Sequence, residues 1–334
     1  MNRAPSQLGV QGNVSGLEAA ITIGELGEFG LIARVTSRGD RSAGGVLLGP
    51  GDDAAVLGAP DGRVVASTDM YVEKRHFRRD WSTAYDIGRR VTASCLADVV
   101  AMGARPTGVL VSFAAPPDLE TSWAEELNAG LLDECADAGA SVVGGDVVRD
   151  DHVVLGMTGL GDLGGRDPVT RSGARAGDVV AVCGRLGWSA AGFAVLSRGF
   201  RSPRAVVEAH RRPVLPYAAG PAAADAGATA MCDVSDGLVQ DLGHVAAASG
   251  VAIDLRASAF EIPDVFEQVA GALGGADPLA YVLSGGEDHA LAATFPAADD
   301  VPDGWRVVGA VGEGEGVTVD GTPYQGPPGW TSFA

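Results

Sequence analysis

The chain of 334 residues is long enough for two domains with a sizeable core, and its 46% hydrophobic and 20% charged residues describe an ordered globular protein. A net charge of −19 argues against a nucleic-acid-binding or anionic-membrane surface. The same charge conflicts with phosphate binding, unless divalent cations held by the protein reverse the local sign.

Lys74 is the only lysine among the 24 basic residues, the others being arginine. It follows no P-loop glycines and fits no kinase strand motif, so both familiar kinase architectures are excluded. The four cysteines form no Cys-x-x-Cys pair, which favours buried thiols in a reducing compartment over disulfides or a zinc site. Residues 1–20 lack a signal-peptide pattern and no run of 18 apolar residues occurs, so we expect a cytoplasmic protein without a membrane partner.

The first half alternates strands and helices. Residues 1–24 are aperiodic and predict a flexible tail, followed by a first domain over 25–162. Ser122 with Glu125 three residues on is a capping-box pattern for a helix that Gly139 ends. The predicted strands are 46–48, 54–57, 63–68, 107–113, 141–143 and 153–160, and the predicted helices are 27–35, 82–102 and 122–138.

The second half repeats this alternation. Gly, Asp, Arg and Pro dominate residues 161–175, and a boundary there gives a second domain over 163–334. Its predicted strands are 179–183, a run ending at Asp233, 251–255, 290–294 and 306–311, and its predicted helices are 189–197, 217–227, 240–249 and two before residue 284. The expected fold class is therefore α/β or α+β in two domains.

Acidic residues recur beside Gly or Ser next to apolar runs. The clearest case is the run 64–69, Val-Val-Ala-Ser-Thr-Asp, which predicts Asp69 at a strand tip. Similar motifs contain Asp52 and Asp53, Asp98, Asp146, Asp233 and Asp236, and Glu287 and Asp288. Gathered carboxylates repel one another unless a cation lies between them, and hard oxygen ligands select Mg²⁺ or Ca²⁺. The repetition predicts a site with several Mg²⁺ ions that handles phosphates.

Each motif taken alone has a simpler explanation. Gly-Asp-Asp at 51–53 is a common turn, and Asp69 by itself suits a surface loop equally well. The set Asp233, Ser235 and Asp236 equally suits an N-cap for the following helix. Asp98 is harder to explain in this way, because a carboxylate among apolar helix neighbours normally needs a partner.

Three further residues have a ligand-binding interpretation and an alternative. Arg171 suits bidentate phosphate contact, although a solvated loop is the more frequent place for an arginine. His76 is either a phosphate donor or a capped loop histidine. Trp330 either stacks on a flat or cationic ligand or plugs the edge of a core.

Taken together, the motifs resemble those of the thiamine-monophosphate kinases. The segments that carry the resemblance are 51–56, 67–70, 76–77, 96–104, 144–146, 170–174, 233–238, 241–244 and 284–288. They occur in the family's order and span nearly the whole chain, which makes the series highly specific.

The resemblance implies the two-domain fold of aminoimidazole ribonucleotide synthetase, with the N-terminal domains pairing in a homodimer. It also implies that ATP phosphorylates thiamine monophosphate to thiamine diphosphate by direct in-line transfer. The implied Mg²⁺ ligands are Asp53, Ser67, Thr68, Asp69, Asp98, Asp146, Asp233 and Asp236, of which Asp69, Asp98 and Asp236 are expected to be catalytic by positioning and charge neutralisation. The implied ATP contacts are Gly145, Asp146, Arg171 and Ser235, and the implied thiamine monophosphate contacts are His76, Glu287 and Trp330.

Three positions depart from the family pattern: Lys74-Arg75 before the histidine, Cys95 in the long helix, and His289-Ala290 after Gly-Gly-Glu-Asp. The first and third lie on the acceptor side, so they bear on substrate identity. Selenophosphate synthetase would need a reactive cysteine near the N-terminus, and a hydrogenase-maturation enzyme would need a C-terminal thiol. A calcium-binding structural protein is a rival of another class, but no EF-hand spacing supports it.

Overall fold

The computed structural model describes residues 21–37, 45–48, 54–275, 277–327 and 329–330. Its helices are α1 (Ile23–Leu26), α2 (Glu28–Thr36), α3 (Ala84–Ala101), α4 (Thr121–Ala138), α5 (Trp188–Ser197), α6 (Arg204–Arg211), α7 (Ala219–Asp225), α8 (Leu238–Ser249), α9 (Asp264–Ala272) and α10 (Pro278–Ser284). Its strands are β1 (Val46–Leu48), β2 (Val56–Leu57), β3 (Val65–Val72), β4 (Arg105–Ala115), β5 (Ser141–Arg149), β6 (Val154–Asp162), β7 (Val179–Cys183), β8 (Ala230–Val234), β9 (Ala252–Leu255), β10 (Ala290–Phe295), β11 (Arg306–Gly312), β12 (Gly316–Val319) and β13 (Thr322–Pro323).

A four-stranded sheet in the order β3-β6-β4-β5 forms the N-terminal half. β6 runs antiparallel to β3 and β4, whereas β5 runs parallel to β4. α3 and α4 pack against this sheet and against each other. Apolar side chains on the opposite face stay exposed, including Met70 at 66% and Val148 at 53%. The described residues therefore cover only one face of this sheet.

A seven-stranded sheet in the order β13-β12-β9-β11-β7-β10-β8 forms the C-terminal half. Its pairs are antiparallel except β9 with β12. α5, α8 and α9 contribute Leu196, Leu242 and Phe266 to the core on one side of it. None of the described helices combines the length and apolar character needed to cross a membrane.

α3 lies between the two halves. Besides its contacts with the N-terminal sheet and α4, it contacts α6, α7 and β8, and 15 of its 18 residues are buried. Thr83 begins the helix with a capping box, in which its hydroxyl accepts from the Asp86 amide and the Asp86 carboxylate accepts from the Thr83 amide. Polar side chains on a helix buried to this extent depend on protein partners, and Thr92 Oγ1 is one buried group of α3 that has none.

Several expectations from the sequence are corrected here. Asp69 does not end its strand, because Met70, Tyr71 and Val72 continue β3 as favourable strand residues. Asp146 lies inside β5 and not between two strands. The capping box at Ser122 is wrong, since α4 begins at Thr121 and its N-cap, Glu120, makes no side-chain capping bond.

Other expectations are confirmed. Gly139 ends α4 in the left-handed conformation, with φ 73°. The long helix predicted over 82–102 is α3, shorter by two residues at its start and one at its end. The helices α1 and α6 and the strands β12 and β13 were not predicted. The flexible tail predicted over 1–24 is wrong for Thr22, Ile23 and Gly24, because Thr22 caps α1 and the other two residues begin it.

α3 and α4 cross at two glycines that face each other. A Cβ atom on Gly88 would lie 2.2 Å from the Leu127 carbonyl oxygen, and one on Gly130 would lie 2.2 Å from the Tyr85 carbonyl oxygen. We expect Gly88→Ala to lower the free energy of unfolding by about 1–3 kcal/mol, because two backbones must separate. Urea unfolding midpoints measure this.

The matched control is Gly243→Ala in α8, where a Cβ would meet nothing within 4 Å. Alanine is the better helix former, so this variant should gain about 0.5–1 kcal/mol. A Gly88→Ala protein as stable as wild type would contradict the close crossing of α3 and α4.

Candidate active site

A polar stripe on α3 connects the two halves of the molecule. Arg90, Ser94 and Asp98 are spaced four residues apart, which places them on one helix face. Arg90 donates from Nη2 to Glu287 Oε2 over 2.6 Å, and Ser94 Oγ lies 2.6 Å from His289 Nε2. Both partners belong to the C-terminal half, so this stripe makes polar contacts between the two halves.

Asp98 is partly buried and has a hydrogen-bond partner in the first half of the chain. Ser67 on β3 donates from Oγ to Asp98 Oδ2 over 2.6 Å. Ser67, Asp69 and Tyr71 alternate along β3 and share its inner face, and Tyr71 donates from its hydroxyl to Asp69 Oδ2 over 3.0 Å. Ser67, Asp69 and Asp98 therefore form one polar group at the face of the sheet that α3 covers.

Thr68 and Asp146 lie on the opposite face of the same sheet. Thr68 donates from Oγ1 to the Met157 carbonyl over 3.0 Å. Met70, Gly156, Ser112 and Asp146 occupy one row across the four strands, and Asp146 is exposed. The predicted metal ligands thus separate into two sets, one on each face of the sheet.

The end of β8 contributes a second acidic group. Asp233 is buried in the strand, and Ser235 and Asp236 follow it in a bend. Asp241 Oδ2 accepts from the amides of Asp236 and Gly237 at 3.0 and 3.1 Å. The alternative that Asp233, Ser235 and Asp236 cap α8 is wrong, because the N-cap is Gly237 and no side chain caps it.

The segment 285–289 docks against this bend. The Glu287 amide donates to the Ser235 carbonyl over 2.8 Å, and the His289 amide donates to the Val234 carbonyl over 3.2 Å. A Cβ on Gly286 would lie 2.1 Å from the Ser235 carbonyl oxygen, which explains the glycine there. Glu287 and His289 have positive φ values of 67° and 51°, and such strained backbone is concentrated at functional sites.

The carboxylates interact without forming a ready-made metal cage. Burial raises the pKa of Asp69, Asp98 and Asp236, and the nearby Asp233 charge raises each further. For Asp98 the pKa is raised to about 6. Over the described residues, no three His, Cys, Asp or Glu side chains converge closely enough to hold one metal ion. The group repels itself and would be stabilised by a cation.

The predicted substrate residues share one cavity. A pocket of about 630 Å³ lies beside the acidic group, and His76, Glu287 and Trp330 all line it. The Trp330 amide donates to the Asp236 carbonyl over 3.0 Å, which fixes this end of the pocket to the acidic bend. Trp81 and Tyr281 contribute further aromatic side chains to the wall of the pocket.

His76 can donate into this pocket. Its Nδ1 accepts from the Val72 amide over 3.0 Å, and burial lowers the pKa of the ring, which is therefore neutral at pH 7. A neutral imidazole whose Nδ1 accepts carries its proton on Nε2, so Nε2–H is the remaining donor. The Val72 contact confirms the interpretation of His76 as an anchored loop histidine, and its role as a phosphate donor stays a prediction.

Sequence reasoning missed the buried network behind Glu287. Arg90 Nη1 lies 3.0 Å from His210 Nε2, and His210 Nδ1 lies 3.0 Å from Ser189 Oγ. Burial lowers the pKa of His210 to about 3, so the ring is neutral and Arg90 donates to it. Burial opposes ionisation of Glu287, but the Arg90 charge and hydrogen bond together with electrostatic interactions with His289 and His210 outweigh it and lower the Glu287 pKa. The spacing of Arg90, Ser94 and Asp98 was the one signal in the sequence.

The remaining predicted nucleotide residues lie apart from the cavity. Arg171 is exposed beside β8, where the neighbouring Thr170 carbonyl accepts from the Met231 amide over 3.2 Å. Gly145 has a packing reason of its own, because a Cβ there would lie 2.0 Å from the Val111 carbonyl oxygen. Asp53 lies outside the described residues.

Comparison with known proteins agrees with this arrangement. Residues 51–163 match the family model for the AIR synthase related protein N-terminal domain, and residues 175–320 match that for its C-terminal domain. The solved structure of AaThiL complexed with AMPPCP and TMP superposes with a TM-score of 0.76 at 31% identity, over 95% of this chain and all of that one (100%). Escherichia coli HypE, a hydrogenase maturation protein, has a TM-score of 0.69 at 21% identity, over 89% of this chain and 96% of its own, and shares the fold alone.

The curated relatives are more specific than the fold. Thiamine-monophosphate kinase from Mycobacterium tuberculosis (strain CDC 1551 / Oshkosh) is 50% identical over 314 residues, which cover 93% of each chain. The enzyme of the same name from Corynebacterium glutamicum is 39% identical, over 93% of this chain and 95% of its own. Because identity at this level extends over nearly the full length, the three departures noted in the sequence are local changes within a shared sequence. The chain therefore belongs to the thiamine-monophosphate kinase family, with the two-domain AIR synthase-like fold.

Proposed function

We propose that this protein phosphorylates thiamine monophosphate to thiamine diphosphate, with ATP as the phosphoryl donor. The observation that carries this proposal is that His76, Glu287 and Trp330 line one pocket fixed against the acidic group. The family relationship supports both substrates, because the AaThiL structure contains AMPPCP, an ATP analogue, together with TMP.

The pocket suits the acceptor. Thiamine monophosphate combines a flat aromatic ring, a cationic thiazolium and an anionic phosphate. Trp330, Trp81 and Tyr281 offer aromatic faces for the first two groups. Glu287, kept ionised by Arg90, offers a carboxylate acceptor for the amino group of the pyrimidine. His76 Nε2–H is available to the phosphate.

We propose that the acidic group binds several Mg²⁺ ions. Ser67, Asp69, Asp98, Asp233 and Asp236 would supply the hard oxygen ligands that Mg²⁺ prefers. The raised pKa values of Asp69, Asp98 and Asp236 are the sign of an uncompensated negative cluster. Bound Mg²⁺ would neutralise phosphate charge and orient the two substrates. Thr68, Asp146 and Asp53 stay predicted ligands.

The chain's own residues have a positioning role in this reaction. The acceptor phosphate has a second pKa of about 6, so it is largely ionised at neutral pH and needs no general base. The barrier is repulsion between two polyanions, together with alignment of the acceptor oxygen with the γ-phosphorus. Glu287, His76 and Trp330 would hold the acceptor in place, while Asp69, Asp98 and Asp236 anchor the charge-neutralising centre. A catalytic lysine is not required.

For ATP we propose contacts from Gly145, Asp146, Arg171 and Ser235, as the family resemblance implies. Arg171 lies beside β8, the strand that contains Asp233 near its end. The residue is exposed, so its guanidinium is accessible to a ligand. The domain limits at 25–162 and 163–334, a flexible tail ahead of α1 and the cytoplasmic location also belong to this proposal.

We further propose a homodimer that pairs the uncovered faces of the four-stranded sheet. Met70, Leu110 and Val148 expose apolar side chains there, and an uncovered apolar sheet face commonly marks a protein interface. Thr68 and Asp146 lie on this same face, so pairing would bring both close to the partner subunit.

The activity is tested by incubating the purified protein with ATP, Mg²⁺ and thiamine monophosphate and separating the products by chromatography. We expect ADP and thiamine diphosphate in equal amounts, and none without Mg²⁺ or with free thiamine as acceptor. ADP without thiamine diphosphate would move the acceptor to another substrate of the fold superfamily. No turnover of either substrate would overturn the proposal.

Asp69→Asn should lower kcat about 100- to 1,000-fold, because it removes a charge that anchors the neutralising centre. The fold should persist, since burial already disfavours the Asp69 charge and the amide oxygen can still accept from Tyr71. Steady-state kinetics with a melting curve measure both effects. Asp299→Asn, at an exposed position in the C-terminal half, is the control and should behave as wild type. Near-normal turnover in Asp69→Asn would refute the acidic centre.

Trp330→Ala should raise KM for thiamine monophosphate about 3- to 30-fold, the loss of an aromatic contact with a cation, while KM for ATP stays within about 2-fold. Trp330→Phe keeps an aromatic face and should recover most of the affinity. An unchanged KM in the alanine variant would make Trp330 a plug at the edge of the core.

Val148→Glu should convert the dimer to a monomer, because it buries two charges in the proposed interface. Light scattering at several protein concentrations measures the mass. Val214→Glu is the matched control, since Val214 is 60% exposed and lies outside the four-stranded sheet. A monomeric wild type, or an unaffected Val148→Glu dimer, would contradict the interface.

A further inference from the structure

His289 lies at the point where the two halves meet and contacts both. Its Nε2 is 2.6 Å from Ser94 Oγ on α3, and its Nδ1 is 3.2 Å from Asp233 Oδ2 at the end of β8. The side chain is buried, with 4% of the residue exposed, and its backbone has a positive φ of 51°. A buried, strained histidine with both ring nitrogens engaged is held in one orientation.

The two partners of His289 are linked to the two halves of the acidic group. Ser94 lies one helical turn before Asp98 on the same face of α3. Asp233 belongs to the other sheet, and its charge acts on Asp69 and Asp98. Asp98 and Asp233 are more than 100 residues apart in the sequence. The distance between them must therefore be set by contacts between α3 and β8, and not by the chain that connects them.

We propose that His289 is a positioning residue that fixes the spacing between Asp98 on α3 and Asp233 on β8. The proposal rests on the function and metal site proposed above. A rigid imidazole with nitrogen atoms on opposite sides of the ring can contact a hydroxyl and a carboxylate at once. Asp233 accepts from Nδ1–H, so the ring also orients that carboxylate, as outer-sphere partners do for metal ligands in general.

The two contacts of His289 couple α3 directly to β8, because Ser94 lies on α3 and Asp233 lies at the end of β8. Substrate contacts lie elsewhere, because the residues that line the 630 Å³ pocket include Glu287 but not His289.

The test compares His289→Phe, His289→Gln and Ser94→Ala with wild type. The first keeps an aromatic ring without hydrogen bonds, the second keeps one donor and one acceptor, and the third removes only the contact with α3. His152→Gln, an exposed histidine on the turn between β5 and β6, is the matched control. Mn²⁺ binding is titrated by electron paramagnetic resonance without nucleotide, and the Mg²⁺ concentration for half-maximal activity is measured separately.

We expect His289→Phe to weaken Mn²⁺ binding and to raise the half-activating Mg²⁺ concentration about 10- to 100-fold, with KM for thiamine monophosphate within about 2-fold. Ser94→Ala should shift the metal readouts in the same direction by less, and His289→Gln should recover part of the loss. Adding Ser94→Ala to His289→Phe should change the metal readouts little further, since both substitutions remove the same contact between Ser94 and His289.

A lower melting temperature in His289→Phe with unchanged Mn²⁺ affinity and Mg²⁺ dependence would overturn the proposal and make His289 a core residue only. If His289→Phe fails to fold, Ser94→Ala and His289→Gln decide, and unchanged metal readouts in both would overturn it equally. Failure of the proposed function is distinguishable, because wild type would then show no phosphoryl transfer whatever the Mn²⁺ titrations give.

Discussion

The burial of α3 between two sheets is the constraint on which the rest of the structure depends. A buried helix leaves no water for its polar side chains, so Arg90, Ser94 and Asp98 must be paired by protein. Arg90 and Ser94 find their partners, Glu287 and His289, in the C-terminal half, and Asp98 is paired by β3. The need to satisfy one helix face therefore brings distant segments of the chain together at a single site.

The C-terminal half contributes two segments to this site, which are docked on each other through backbone hydrogen bonds. Backbone amides of the segment 285–289 donate to carbonyls of Val234 and Ser235, in a close approach that only glycine permits at position 286. This docking holds Glu287 and His289 at strained backbone angles, with one side chain in the pocket and the other beside Asp233. The lining of the pocket and the arrangement of the acidic group thus depend on the same five residues.

Much of the site was predictable because its parts are local motifs. Strand and helix types followed from periodicity and from residues such as Gly139, and the ordered motifs identified the family. The prediction of strand tips was wrong for Asp69 and Asp146, since a strand ends where its pairing ends and not where its apolar run ends. Local sequence also gave the wrong cap for α4. The capping box at Thr83 of α3 and the similar pattern at Ser122 look alike until the first residue of each helix is known.

The sequence by itself determined the inventory: carboxylates beside glycines, a single lysine, no P-loop, and motifs whose order is that of one kinase family. Tertiary structure alone decided which of these residues meet. It separated Thr68 from Asp69 onto opposite faces of a strand, and it joined His76 around one pocket with Glu287 and Trp330, both more than 200 residues further along the chain. It also introduced His210, for which the sequence carries no signal. The physical reason is that motifs record local backbone needs, whereas the partners of a buried polar group are chosen by packing between segments remote in sequence.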